Sequence, residues 1–203
     1  MISIIDYGLG NLASVRNALE YLGIKNSIVN KPKQIRNSDR LILPGVGNFG
    51  VAMDNLHRNG LSEAIIEHVS VYRRPILGIC LGMQLLLDKS CEGGIHNGLG
   101  ILRGQVKPLS EVCSSLMVPH VGWNNVTAIK KSSLINTSCH DNSFYFLHSY
   151  YCELDDIEQV SGTSNYGIRF HSIFESENLY GCQFHPEKSQ KLGLELLYKF
   201  SKI

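Results

Sequence analysis

Residues 75–84 read PILGICLGMQ and combine an apolar run with two closely spaced glycines. The apolar first half of this stretch predicts a buried strand, and its last residues begin a predicted helix over residues 83–89. Gly78 and Gly82 flank Cys80 in a G-x-Cys-x-G pattern, which is typical of a nucleophile elbow between a strand and a helix. Such an elbow lifts the thiol above the carboxyl edge of a sheet, at a helix N-terminus that favours the thiolate.

Two neighbours of the predicted nucleophile have expected roles of their own. The backbone N–H of Leu81 is expected to point toward an oxyanion formed by attack of the thiol. Gln84 lies four residues after Cys80, so both side chains share one helix face and Gln84 could reach a bound ligand.

The first ninety residues alternate between strand and helix patterns. Short apolar runs predict strands at residues 2–7, 27–29, 40–43 and 75–79. Apolar residues at helical spacing predict a helix that Gly23 ends, and another over residues 61–72. This alternation predicts an α/β fold with a mostly parallel sheet covered by helices.

The second half of the chain has a different pattern of predicted elements. Short strands bounded by turns are predicted at residues 105–107, 125–129, 144–147, 168–174 and 179–184. This half is expected to be antiparallel or mixed, and a helix over residues 189–201 closes the chain. We expect one domain over residues 1–203, since no linker or repeat interrupts the pattern.

Composition excludes several functional classes. The 203 residues carry 19 Lys+Arg and 18 Asp+Glu, a net charge of +1, which gives no electrostatic signature of nucleic-acid binding. The longest apolar stretch, residues 76–87, is shorter than the ~20 residues that a membrane-spanning helix needs. The amino terminus has no signal-peptide pattern, so a cytoplasmic protein is expected.

Six cysteines occur without any CxxC pair. Without an export signal a disulfide framework is not expected, and most of these cysteines are interpreted as small buried side chains. No metal-site spacing is found, and neither a metal nor a cofactor is predicted.

A base for Cys80 is available near the carboxyl terminus. His185-Pro186-Glu187 directly follows the predicted strand at residues 179–184. His185 could share the thiol proton while Glu187, two residues later, holds the imidazole in one tautomer. The histidines at positions 57, 68, 96, 140 and 171 have no comparable setting and are interpreted as surface or core residues.

The segment Gly45-Val46-Gly47-Asn48-Phe49-Gly50 matches GxGxxG. A dinucleotide site is one interpretation, but the acidic residue expected ~20 residues later at a strand end is missing. The glycines could instead serve tight turns. A third interpretation is a glycine strand whose backbone N–H groups line a site.

The motifs around Cys80 and His185 resemble those of class I glutamine amidotransferases, in particular the glutaminase subunits of imidazole glycerol phosphate synthases. The resemblance runs essentially end to end. Further matching segments are DYGLGNL at residues 6–12, PGVG at 44–47, PHVGWN at 119–124 and HSY at 148–150. It implies a three-layer sandwich with helices on both faces of a mostly parallel sheet and antiparallel strands in the second half.

The resemblance also implies roles for individual residues. Cys80, His185 and Glu187 would form the catalytic triad. The implied glutamine contacts are Gly47, Leu81, Gln84, Glu92, His148, Ser149 and Tyr150. Val46 and Gly47, together with Leu81, would form the oxyanion site, and Trp123 and Asn124 would lie at a partner interface.

The implied reaction is hydrolysis of glutamine to glutamate and ammonia. The implied partner is a (β/α)₈-barrel cyclase that receives the ammonia within a heterodimer. One alternative keeps this chemistry but serves another ammonia acceptor, such as an enzyme that amidates surface sugars. Two others remain: a catalytically idle binding or regulatory subunit, and a dinucleotide-dependent oxidoreductase based on residues 45–50.

Overall fold

The computed structural model describes residues 1–112, 116–136 and 142–203. The strands are β1 (Ile2–Ile5), β2 (Asn26–Val29), β3 (Arg40–Gly45), β4 (Ile76–Cys80), β5 (Leu87–Ser90), β6 (His96–Asn97), β7 (Leu102–Pro108), β8 (His120–Asn125), β9 (Thr127–Ala128), β10 (Ser143–His148), β11 (Tyr150–Leu154), β12 (Val160–Tyr166), β13 (Ile168–Ser176) and β14 (Leu179–Cys182). The helices are α1 (Leu12–Tyr21), α2 (Pro32–Arg36), α3 (Phe49–Arg58), α4 (Leu61–Ser70), α5 (Leu81–Leu85) and α6 (Gln190–Phe200). Short 3-10 turns lie at Leu109–Glu111, Ile157–Gln159 and Pro186–Lys188. None of the described helices is long and apolar enough to cross a membrane.

One large sheet organises these elements. Its strand order is β2-β1-β3-β4-β14-β13-β11-β7-β5-β6, with β12 and β9 added beside β13. The five strands from β2 to β14 are parallel, whereas β14, β13, β11 and β7 pair antiparallel. Strands β8 and β10 form a separate antiparallel pair. The predicted division into a parallel first half and a mixed second half is therefore confirmed.

Two buried clusters cover the two faces of the sheet. Ile5 packs in one cluster with Leu56 of α3 and Ile65 of α4. Its neighbour Ile4 points to the opposite face and belongs to the cluster that contains Leu19 of α1 and Leu196 of α6. Helices thus cover both faces, as the three-layer arrangement requires.

The predicted helix after Cys80 is present, but its predicted extent over residues 83–89 is wrong. Helix α5 ends at Leu85, and the chain enters β5 two residues later. Leu85, Leu86 and Leu87 are all fully buried, so their apolar run fits a buried helix and a buried strand equally well. Pairing with β7 decides in favour of a strand, because Leu87 lies opposite Leu102 in a parallel register.

Other boundaries also differ. The strand predicted at residues 125–129 merges the end of β8 with the two-residue strand β9. Strands β11 and β12 and helix α2 had no predicted counterpart. Cys152 and Cys182 are buried free thiols as expected, whereas Cys91 is exposed. Cys113, Cys139 and His140 lie outside the described residues.

Candidate active site

Cys80 occupies a strained turn between β4 and α5. Its φ of 54° and ψ of −111° are unfavourable for a residue with a side chain. A Cβ on Gly82 would lie 1.7 Å from the carbonyl oxygen of Leu43, and one on Gly78 would lie 2.6 Å from Met83 Cα. The two glycines are therefore required because the backbones of β3, β4 and α5 pass too closely for side chains.

The sheet brings three distant segments to Cys80. Strand β4 lies between β3 and β14, and all three are parallel. Parallel strands end at one edge, so Val46 and Gly47 after β3 and His185 after β14 flank the thiol. Gly45 faces Tyr7, whose hydroxyl donates to the Pro44 carbonyl at 2.9 Å.

His185 and Glu187 form a buried pair. The distance from His185 Nδ1 to Glu187 Oε1 is 2.8 Å, and the two side chains are 2% and 1% exposed. Since the carboxylate accepts the Nδ1 proton, His185 Nε2 is left without a hydrogen bond among the described residues. Burial by itself lowers the pKa of His185, but Cys80 and Glu187 outweigh burial and raise it to about 10.

Polar groups also surround the sulfur. The Cys80 thiol lies 3.7 Å from the Leu147 carbonyl oxygen, and Gln183 Nε2 donates to Sγ at 3.7 Å. The Gln84 amide donates to the Tyr150 carbonyl at 2.9 Å and to Gln183 Oε1 at 3.1 Å. These contacts hold the wall of the site through side chains rather than through strand pairing.

A cavity of about 260 Å³ opens beside the thiol. This volume lies just below the ~300–1,000 Å³ of typical drug-sized ligand sites, as suits a small metabolite. It is lined by Val46, Gly47, Cys80, Leu81, Gln84, Glu92, Pro119, Leu147, His148, Ser149 and Tyr150. The structure thus brings together every residue expected to contact glutamine or the oxyanion, and their binding roles stay predictions.

Glu92 has a structural partner as well as a place in the cavity wall. Its Oε2 accepts a hydrogen bond from the backbone N–H of Phe49 at 2.8 Å, at the first turn of α3. The side chain of Asn48 caps the same turn by accepting from Val51 N–H at 3.0 Å. Glu92 therefore anchors the chain directly after Gly47.

Trp123 and Asn124 lie on β8, and neither is among the residues that line the cavity. Trp123 is 50% exposed, and its neighbours on the β8–β10 pair include exposed Val121 and Leu147. Asn124 is half-buried, and its Nδ2 donates to the Asn165 carbonyl at 2.9 Å and lies 3.3 Å from His120 Nε2. Exposed apolar side chains such as Trp123 are common at protein interfaces, and the interface roles of Trp123 and Asn124 stay predictions.

Sequence reasoning missed several residues of the site. Tyr7 and His120 lie within quoted motifs, but neither received a role. Gln183 directly follows β14 and precedes His185 by two residues, so only its position hinted at a role. Within the described parts of the chain, no group of three or more His, Cys, Asp or Glu side chains could hold a metal ion.

Comparisons with known proteins agree with this geometry. The family model described as glutamine amidotransferase class-I matches residues 3–202. Imidazole glycerol phosphate synthase subunit HisH 1 of Campylobacter jejuni subsp. jejuni serotype O:23/36 (strain 81-176) is 45% identical over 203 residues, covering 100% of both chains. Subunit HisH of Bacillus subtilis (strain 168) is 43% identical over 206 residues, covering 100% of this chain and 96% of the relative. A structure of PurLQS from Thermotoga maritima shares the fold, with 18% identity, a TM-score of 0.73 and coverage of 99% of this chain and 97% of that one.

Proposed function

The chain belongs to the class I glutamine amidotransferase family, and on that premise we propose that it is the glutaminase subunit of an imidazole glycerol phosphate synthase. The observation that carries the catalytic assignment is the buried His185–Glu187 pair beside a strained Cys80. End-to-end identity of 43–46% to subunits with that name supports the choice of pathway, histidine biosynthesis. We take residues 1–203 as one amidotransferase domain acting in the cytoplasm.

The first chemical step is attack by the Cys80 thiolate on the side-chain amide carbon of glutamine. A bond forms between Sγ and this carbon, and the amide oxygen becomes an oxyanion. The N–H groups of Leu81 and of the segment at Val46 and Gly47 are the proposed donors to this oxyanion. Both segments line the cavity next to Cys80.

His185 then serves as the general acid. The raised pKa of His185 keeps its imidazole protonated at neutral pH, so it can give a proton to the departing ammonia. The carbon–nitrogen bond breaks and leaves a glutamyl thioester on Cys80. A water molecule that loses a proton to His185 hydrolyses the thioester and releases glutamate.

Glutamine itself is expected to lie along the cavity wall formed by Gln84, Glu92, Ser149 and Tyr150. Backbone N–H groups near Ser149 and Tyr150 would receive its carboxylate. His148 contributes the face of its ring, because both ring nitrogens are already hydrogen-bonded within the protein.

Ammonia requires a receiving partner, because in bulk water it would be protonated and lost. We propose that a (β/α)₈-barrel cyclase docks at Trp123 and Asn124 and takes up the ammonia, which it uses on a nucleotide-derived substrate. The exposed apolar side chains of the β8–β10 pair support this choice of surface.

The test is glutamate release from glutamine, measured with and without the cyclase and its nucleotide substrate. Strong stimulation by the cyclase that Cys80→Ala abolishes is the expected result. Complementation of a histidine auxotroph identifies the acceptor, since a glutaminase serving another synthase would hydrolyse glutamine but fail to restore growth. Full glutamine-dependent activity in Cys80→Ala would disprove the assignment.

A further inference from the structure

Two buried histidines lie on strands β8 and β10, and one of them, His148, also lines the cavity. His120 and His148 face each other in the register of these strands, and their side chains are almost fully buried. His148 Nδ1 lies 2.9 Å from the Tyr150 carbonyl oxygen, and His148 Nε2 lies 3.0 Å from His120 Nδ1. Because a carbonyl only accepts, Nδ1 of His148 carries the proton and its Nε2 is an acceptor.

The tautomer of His148 determines the tautomer of His120. His120 Nδ1 must donate to His148, so His120 Nε2 is an acceptor for Nδ2 of Asn124 at 3.3 Å. The second N–H of the same Nδ2 donates to the Asn165 carbonyl at 2.9 Å. Both rings are neutral, because burial lowers the pKa of His120 to about 4 and that of His148 to about 3. The His120 ring stacks on Phe146 and Tyr166, with centroids 4.9 and 4.0 Å away, which leaves it little freedom to rotate.

The network continues on the other side of Tyr150. The same carbonyl oxygen accepts from Gln84 Nε2, and Gln84 donates its second N–H to Gln183, which donates to Cys80 Sγ. An unbroken series of hydrogen bonds therefore joins Asn124 on the β8 surface to the nucleophile. Each neutral imidazole has one donor and one acceptor, so neither histidine can change its partner without leaving a buried polar atom unpaired.

We propose that His120 and His148 are positioning residues that transmit the orientation of the Asn124 amide to the glutamine-binding wall at Tyr150 and Gln84. In the free chain the amide is held by the Asn165 carbonyl at 2.9 Å and by the Asn125 N–H at 2.8 Å, both in exposed contacts. Docking of a partner on Trp123 and Asn124 shields these contacts from water, and the two tautomers then hold the wall in place for catalysis. This inference rests on the proposed function, since it concerns how the partner stimulates the glutaminase.

The test compares two adjacent asparagines. Asn124→Ala removes the donor to His120, whereas Asn125→Ala changes an exposed neighbour on the same strand. Glutamine hydrolysis is measured for the chain alone and at saturating cyclase, with the dissociation constant determined separately. At saturating cyclase, Asn124→Ala is expected to reduce the stimulation of kcat about tenfold. This is the rate effect expected from the loss of one hydrogen bond in a buried network. Asn125→Ala should stay within about twofold of the wild type.

A second variant and a spectroscopic measurement separate positioning from folding. His120→Phe keeps a ring between Phe146 and Tyr166 but removes both hydrogen bonds, and it should lose stimulation as Asn124→Ala does. Nitrogen-15 NMR of the wild-type chain should show protonated Nδ1 and unprotonated Nε2 in both histidines. Protonated Nε2 in His148, or unchanged stimulation in folded His120→Phe, would overturn the inference. If the cyclase does not stimulate the wild type, the proposed function itself is wrong, and the inference that rests on it falls with it.

Discussion

Gly45 of β3 lies directly opposite Cys80 of β4 in the parallel register. On the other side of β4, Cys182 lies opposite Ile79, so the chain reaches His185 just beyond the same edge. The proposed nucleophile, its proposed base and the segment expected to bind the oxyanion are therefore adjacent because β4 lies between β3 and β14.

Cys80→Ala should lower glutamine-dependent synthesis by about 10⁴-fold or more, because no other group can form the thioester. Synthesis by the complex with added ammonia should persist, since the cyclase would still receive its substrate. The assay measures product formation with glutamine and with an ammonium salt. Cys91→Ala, at an exposed cysteine, is the control and should retain activity. Loss of ammonia-dependent synthesis as well would point to a damaged interface.

Glu187→Gln should move the alkaline limb of the kcat/KM–pH profile, which reports pKa values of the free enzyme, to lower pH. The amide oxygen can still accept the Nδ1 proton of His185, but the carboxylate charge that helps raise the pKa of His185 is gone. In the wild type the imidazole is protonated below its pKa of about 10, and the acid needed for ammonia departure is lost as pH rises through that value. Glu195→Gln on α6 serves as the control. An unmoved limb would show that His185 does not govern it.

Gly82→Ala should destabilise the fold by about 3 kcal/mol, at the upper end of costs for overpacking. The new Cβ would lie 1.7 Å from the Leu43 carbonyl oxygen, which belongs to the backbone of β3 and cannot move alone. Gly23→Ala is the matched control: its Cβ would meet nothing within 4 Å, and only its φ of +68° adds strain. That strain costs about 1–2 kcal/mol. Urea unfolding of both variants provides the comparison, and equal losses would contradict the steric explanation.

Stability should fall as the pH drops below about 6.5. Burial lowers the pKa of His148 from 6.5 to about 3, so between these values the unfolded chain binds a proton that the folded chain excludes. One such group changes the free energy of unfolding by up to about 1.4 kcal/mol per pH unit. Urea unfolding at pH 7 and pH 5 should show a smaller difference for His148→Phe than for the wild type. Phe200→Leu, a core variant without a titratable group, should lose similar stability at both pH values.

Trp123→Ala should weaken binding of the cyclase at least about tenfold, the usual effect of removing an aromatic side chain that anchors an interface. Trp123 is 50% exposed in the free chain and would become buried on docking. Calorimetric titration measures the dissociation constant. Tyr198→Ala removes a comparably exposed ring, 47% exposed, from α6 and should leave the dissociation constant unchanged. Equal effects of the two variants would argue against this docking surface.

Much of the candidate site could be predicted from local patterns. The glycines on either side of Cys80 indicated the elbow because close backbone approach excludes side chains there, and His185 and Glu187 are close in sequence. The helix predicted over residues 83–89 is wrong beyond Leu85, because its local pattern did not distinguish a helix from a strand. A short apolar run is equally compatible with a helix and a strand, and only pairing of Leu87 with Leu102 distinguishes them.

Local sequence patterns were enough to predict the class of fold, Cys80 as the candidate nucleophile and the contact of His185 with Glu187, because each depends on residues close together in the chain. Only the tertiary structure placed β4 between β3 and β14, and only it joined His120 to His148 and Gln84 to Gln183. The two partners in each hydrogen bond come from segments far apart in sequence, and such bonds form only where the packing of the whole sheet removes competing water. Periodicity within one segment carries no information about that packing.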